Sequence, residues 1–552
     1  MKNKPIFDAH LHILLKSILT GYRMNLQNQG IDPWNKIRLG VAGILLGKTL
    51  RSQSNLNQIK EANANLVVHA LFSPDYSLID AGLVDKLGAS IVKVLRKEAL
   101  KKLKNNAPKD NVLFELECLN HIKNNVPENQ LELNFLSPES AYDGNKINLL
   151  FNIEGAHNFY NQDDQGHHFF DENFLRTLKQ DSKYRISFVN LTHVQQWWAC
   201  THAYAMKLLD NCISNKHIRY MFKPSGYGIQ EEGFSIMKKL LDPNEGQIMY
   251  VDIKHMSLFS RIQFYAWRRQ NFPNTPIIAS HVGLVGRSWH YIKKGVWKVE
   301  QKSKFESKRV YHLMEKYKGH LEDTRFYPNS INLYDEEIIT IVKSRGLIGI
   351  SLDKRILGSQ SQQSLEDVDY SDEYFSNEEY ELLLGASTSI LKKVKDDNYI
   401  LNRDQINEDY NIASEKGRSI RPSVADYINS KYVPTARTRG VTLPEAFEEE
   451  DEVLLNRQIE HFMNTVLHLV MVGGVEAWDC ICLGSDFDGL ITPIRKIKTI
   501  TDLPKLRVST AHFIKSQPNL WTAFNVTSYQ DIDEKVEKLF FENGKRFVDR
   551  IL

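Results

Sequence analysis

The chain has 552 residues, of which 42% are hydrophobic and 25% charged, with a formal net charge of +2. That balance supplies ample core material and gives no electrostatic reason to expect nucleic acid or an anionic membrane as partner. No run approaches the roughly 18 apolar residues of a membrane helix, and Met1-Lys-Asn-Lys-Pro5 leads straight into Ile6-Phe7-Asp8 without an apolar leader.

The first apolar run, residues 6–12, contains Asp8-Ala-His10-Leu-His12. In a strand, side chains alternate between faces, so His10 and His12 point the same way, about 6–7 Å apart along the chain. Further β-rich runs follow at 66–72, 147–154, 186–193, 248–255, 277–281, 347–352 and 480–486. Several are nearly continuous apolar sequence, as expected of parallel strands buried on both faces. Helical spacing recurs between them, at 231–241, 335–343 and 456–472. Length alone would allow roughly three or four domains. Eight strand–helix units instead predict an α/β fold, a (β/α)8 TIM barrel over 1–552 with its site at the C-terminal strand ends.

Three stretches exceed a plain connection: 74–146, 287–330 and 353–455. They are expected as loop insertions, helical in part. The first carries a basic amphipathic segment, 91–105, read as a solvated face. The third is acid-rich and closes on Glu448-Glu-Glu-Asp-Glu452. Five cysteines (Cys118, Cys200, Cys212, Cys480 and Cys482) form no CxxC motif. Cys480 and Cys482 alternate in an apolar run like buried strand thiols, and a reducing cytoplasm is expected.

Most strand ends carry metal-ligand residue types. Beside His10 and His12 stand Glu154, His193, His255, His281 and Asp486. Asp488, in Asp-Gly, reads as turn chemistry. Mixed imidazole and carboxylate ligation without thiolate suits zinc, with manganese, iron or cobalt as alternatives. Six ligands are more than one tetrahedral ion needs, which points to two divalent metal ions about 3.5–4 Å apart.

The ordered motifs resemble the membrane (renal) dipeptidase family, peptidase family M19, within the metal-dependent amidohydrolase superfamily. They are His10-Leu-His12, Ile153-Glu-Gly155, Leu191-Thr-His193, Val251-Asp-Ile-Lys-His255, Ser280-His281 and Gly484-Ser-Asp-Phe-Asp-Gly489. Gly226-Tyr-Gly-Ile-Gln-Glu-Glu-Gly233 and Asn332-Leu-Tyr-Asp-Glu336 fall between them in the family's order. The resemblance implies one metal on His10, His12 and Asp486, another on His255 and His281, and Glu154 bridging. It also implies hydrolysis of an amide bond in a dipeptide-like peptide or N-acyl amino acid by a hydroxide shared between the metals. Asp486 then handles protons, His193 binds substrate and stabilises the oxyanion, and a homodimer is allowed.

Two positions depart from the family. His12 stands where an Asp is usual, removing one negative charge. Ile331 stands where an Arg grips the substrate carboxylate, leaving Arg287 or Arg325 as its candidate partner. A lactone or phosphoester hydrolase on the same metals, and a non-catalytic metal-binding barrel serving as an interaction protein, are the competing expectations.

Overall fold

Eight parallel strands close into a ring: β1 (Phe7–Leu11), β2 (Leu66–Leu71), β3 (Ile147–Ile153), β4 (Ile186–Asn190), β5 (Tyr250–Asp252), β6 (Ile278–Val282), β7 (Leu347–Ile350) and β8 (Ile481–Leu483). Each pairs with its chain-order neighbours, and β1 pairs with both β2 and β8. A helix follows every strand: α1 (Leu56–Glu61), α2 (Pro108–Asn124), α3 (Glu172–Gln180), α4 (Glu231–Leu241), α5 (Leu258–Asn271), α6 (Asp335–Lys343), α7 (Asn456–Gly473) and α8 (Leu503–Lys515). The chain is therefore a (β/α)8 barrel, as expected. The computed structural model describes residues 4–20, 33–35, 51–75, 106–163, 167–195, 197–205, 221–226, 228–301, 307–358, 370–384 and 456–552. The basic segment 91–105, the acidic run 448–452 and Cys212 lie outside them.

Local chemistry explains the elements. The strands are buried along their whole length, so their continuous apolar sequence meets the core inside and helices outside. α4 opens on Glu231 and Glu232 and closes on Lys238 and Lys239, and α6 opens on three acidic residues. These charges oppose the helix dipole at each end. Beyond α7 comes Gly474 at φ 76°, the left-handed turn that ends a helix without a Cβ penalty.

Strands β4, β5 and β8 are shorter than the sequence reading, which ran them on to His193, His255 and Asp486. The backbone reason is visible at two of these positions. His255 has φ 70° and Asp486 φ 60°, values incompatible with a strand. Chain that was expected to continue the ladder turns into the barrel mouth instead.

The long connections also differ in detail. The first, 74–146, carries the barrel's own α2, and its Leu133–Phe135 adds a parallel strand outside β3. The second and third meet. Val296–Glu300, Lys308–Leu313 and Tyr370–Phe375 form one antiparallel three-stranded sheet, beside short helices at Ile292–Gly295 and Asn377–Leu383. Glu373 ties that sheet together and to the chain ahead of α6, pairing with His312 Nε2 (2.8 Å) on the neighbouring strand and accepting from Ser330 N (2.8 Å). Among the described residues no helix is long and apolar enough to cross a membrane.

Inside the ring, β6, β7 and β8 approach closely. A Cβ built on Gly349 or Gly484 would overlap the Ser280 carbonyl oxygen, and backbone cannot yield as a rotamer can. Gly349→Ala should therefore destabilise the protein by about 2 kcal/mol, as overpacking does, despite the entropic gain of replacing glycine. Thermal denaturation would show a lowered melting temperature; an unchanged or raised one would contradict this packing.

Candidate metal centre

Glu154 follows β3 into the barrel mouth, with Gly155 at φ 99° turning the chain behind it. Both Glu154 and the surrounding rings are almost wholly buried. Five imidazoles face its two oxygens. Oε1 lies 3.2 Å from His255 Nε2, 3.5 Å from His10 Nε2, 3.7 Å from His281 Nε2 and 3.8 Å from His193 Nε2. Oε2 lies 3.3 Å from His12 Nε2. Asp486 Oδ1 completes the set, 3.8 Å from His12 Nε2 and 4.0 Å from His10 Nε2. Three overlapping triads result: His10/His12/Glu154, His10/His281/Asp486 and Glu154/His255/His281, with the ligand atoms of each within 4.8 Å of one another. The six residues named as ligand candidates thus meet at one place.

The electrostatics fit a cation. Burial alone would raise the Glu154 carboxyl, but His193, His10 and His12 overcome it and hold the group well below its usual range. Burial lowers His10 to about 4 and, with His193 beside it, His255 to about 3; His281 is lowered well below its ordinary value. Neutral rings around a charged carboxylate are the state a divalent metal requires; against its burial, Glu154 and Asp486 instead raise His12 above its ordinary value. His10 Nε2 is buried and makes no hydrogen bond, an orphan acceptor that a metal would satisfy. The donor set suits a divalent metal site.

Carboxylates behind the cluster fix its loops. Asp8 Oδ1 accepts from His10 N (3.1 Å) and Ser485 N (2.9 Å), tying β1 to the β8 loop. Asp486 N donates to the His10 carbonyl (2.9 Å) in the same seam. Asp252 repeats the device, accepting from Lys254 N (3.0 Å) and Ser280 N (3.2 Å). Burial raises both carboxyls to about 6. Ser280 Oγ lies 2.8 Å from His281 Nδ1 and orients that ring. Asp488 plays the structural part expected of it, binding Ser54 N (2.7 Å) and Lys16 Nζ (2.8 Å).

His193 sits at the edge of the cluster. Its Nδ1 is 2.6 Å from Asp75 Oδ2, and Trp197 Nε1 donates to Asp75 Oδ1 (3.0 Å). Asp75 is fully buried, and despite that burial its carboxyl is held at about 2 by His193 and His157. The sequence reading missed Asp75, although a carboxylate just past the apolar run of β2 was the signal used elsewhere. Trp197 packs beneath the mouth, stacked on His157 (4.9 Å, 10°), whereas Trp198 is exposed and stacks on Tyr160.

The Arg287 guanidinium lies 5.4 Å from the Tyr317 ring centroid, and the Arg325 backbone pairs with that of Lys318 in an isolated antiparallel β-bridge. Ile331 is buried.

A carboxylate with one donor on each oxygen gives a sharp test. In Asp75→Asn, one of the two acceptors becomes an NH2 group and opposes either Trp197 or His193. Proton NMR of the native protein should show a strongly deshielded His193 Nδ1 proton that vanishes or moves in Asp75→Asn; an unmoved resonance would deny the contact.

No family model matches the chain, and no curated protein matches it. Among solved structures it is similar to a metallopeptidase from Rhodobacter sphaeroides liganded with a phosphinate mimic of the dipeptide L-Ala-D-Ala (14% identity over 100% of both chains, TM-score 0.48). It is also similar to the probable dipeptidase PvdM from Pseudomonas aeruginosa (15% identity over 99% of this chain and 95% of that one, TM-score 0.47). An amidohydrolase from Pseudomonas aeruginosa is a third, at 10% identity over 100% and 97% and a TM-score of 0.39. At such identities, activity is a question for the residues of the cluster.

Proposed function

We propose that the protein is a dipeptidase-like metal-dependent hydrolase that cleaves an amide bond in a small peptide or N-acyl amino acid. The observation that carries this reading is the buried Glu154 carboxylate, with four imidazole nitrogens 3.2–3.8 Å from Oε1 and His12 Nε2 3.3 Å from Oε2. That arrangement suits two divalent ions, zinc by donor type, with His10, His12 and Asp486 on one, His255 and His281 on the other, and Glu154 shared. Bound cations supply Lewis acidity, which makes water a nucleophile near neutral pH and polarises a carbonyl.

The chain's own residues do the rest. Asp486 takes the proton of the attacking water and passes it to the leaving nitrogen. Burial, then the nearby Glu154 and Asp353, raise its carboxyl well above the usual range against the pull of His12, a shift that a bound cation would oppose. His193 presents Nε2 toward the cluster and stabilises the oxyanion, while Asp75 holds its other nitrogen. The barrel and its insertions act as one catalytic unit. The buried thiols of Cys200, Cys480 and Cys482 support a reducing, cytoplasmic setting.

Metal analysis of the reconstituted protein should find about two equivalents per chain. Glu154→Ala or His255→Ala should lose metal and activity together on a panel of L,L-, L,D- and N-acylated dipeptides. Normal turnover by metal-free protein would refute the mechanism. His193→Ala should keep its metal and lower kcat by about 10²–10³-fold, the range for losing one oxyanion donor; unchanged kinetics would remove that role.

A further inference from the structure

The loop after β4 carries Trp197 and Trp198 side by side, with opposite fates. Trp197 is buried, whereas Trp198 is 53% exposed. The Trp198 ring stacks on Tyr160 (5.6 Å, 25°), which also meets the Phe170 ring at 5.9 Å. A lone exposed aromatic is ordinary. Here Trp197, Trp198 and Phe170 line one cavity of about 1190 Å³, together with Glu172, Glu231 and Glu232. Among the described residues no lysine or arginine lines it, and burial lowers His168, in the same wall, below its ordinary value.

Glu172 and Glu231 are the first residues of α3 and α4, so the cavity lies at the face of the ring where the strands end and the cluster sits. Trp197 joins the two places. Its Nε1 donates to Asp75 (3.0 Å), Asp75 pairs with His193 (2.6 Å), and His193 Nε2 stands 3.8 Å from Glu154. The helix dipole accounts for acids at these two helix starts, but not for an aromatic wall beside them. Glu172 meets Lys239 (3.2 Å), whereas Glu231 and Glu232 form no ion pair among the described residues. Elsewhere the protein lays its own cations over aromatic rings: Lys223 over Tyr374 (4.2 Å), Lys294 over Tyr291 (4.7 Å) and Arg309 over Tyr311 (5.0 Å). No such cation covers Trp198 among the described residues. An open indole face and carboxylates on one cavity are the chemistry that selects a cation.

We propose that this cavity is a specificity subsite that takes a cationic side chain, ammonium or guanidinium, of the peptide substrate. The indole supplies cation–π attraction and an apolar bed for the methylenes of a long basic side chain. The carboxylates set the sign, since an anionic group entering the cavity meets like charge. The inference rests on the metal-hydrolase reading for the identity of the substrate; the affinity of the cavity for cations does not.

The test uses metal-loaded full-length protein and two probes, butylguanidinium and its neutral counterpart butylurea. Isothermal titration calorimetry should show butylguanidinium binding about 5- to 30-fold more tightly, the range of a partly desolvated cation–π contact. Trp198→Leu should bring the two probes to within about twofold of each other, and Trp198→Phe should keep most of the difference. Glu231→Gln combined with Glu232→Gln should lower the preference and flatten its dependence on salt. Trp198 is exposed, so these variants keep the fold, and an unchanged metal content checks it. Dipeptides carrying Lys or Arg should exceed their norleucine counterparts in kcat/KM, chiefly through KM, and Trp198→Leu should remove that advantage. Equal binding of the two probes, or a preference that survives Trp198→Leu, overturns the proposal. Selective butylguanidinium binding without a kinetic gain for basic peptides overturns the assignment as a substrate subsite. Trp198-dependent cation binding in a protein that cleaves no amide upholds the ligand class of the cavity and removes the proposed reaction. Amide cleavage with no preference for cations does the reverse.

Discussion

The mouth of this barrel is organised around one buried carboxylate. Five imidazoles from four strand ends stand 3.2–3.8 Å from Glu154, and no local element could bring them there. Only closure of the parallel ring aligns those strand ends on one rim. Removing water from so many nitrogens is costly, and the cluster answers by keeping several rings neutral and one acid charged. A protein that builds such a nest without a guest would be storing unfavourable free energy at its centre.

The rings are held by a second tier of acids that never reach the centre. Asp8 and Asp252 each accept one backbone amide from their own segment and one from an adjoining strand, which fixes the chain that carries the histidines, while Ser280 Oγ orients the His281 ring. Asp75 does the corresponding work for His193 through its side chain. Left-handed backbone at His255 and Asp486 costs roughly 1–3 kcal/mol per residue, and surrounding bonds such as Asp486 N to the His10 carbonyl keep it in place.

Much of this was legible in the sequence. Period-2 and 3.6 patterns located all eight barrel strands and gave α4 and α6 their observed limits, because burial on both sides of a parallel sheet leaves an unmistakable apolar run. The strand-end rule also brought together His10, His12, Glu154, His255, His281 and Asp486 before any coordinates. What escaped has a common cause. The left-handed turns at His255 and Asp486 cut their strands short, and no periodic signal marks a single φ. The three-stranded sheet joins segments about sixty residues apart in chain position (Arg309 faces Tyr374), and pairing at that distance leaves no trace in either segment alone. Asp75 was passed over as an ordinary charged residue, since its partner His193 meets it only in the fold.

The hydrogen bond from Ser485 N to Asp8 joins residues 477 positions apart. β1 therefore keeps one open edge until β8 has been made, and such edges are sticky. Closure of the ring is correspondingly slow, as pairing at such long range is, and His10 and His12 meet Asp486 only when it is complete.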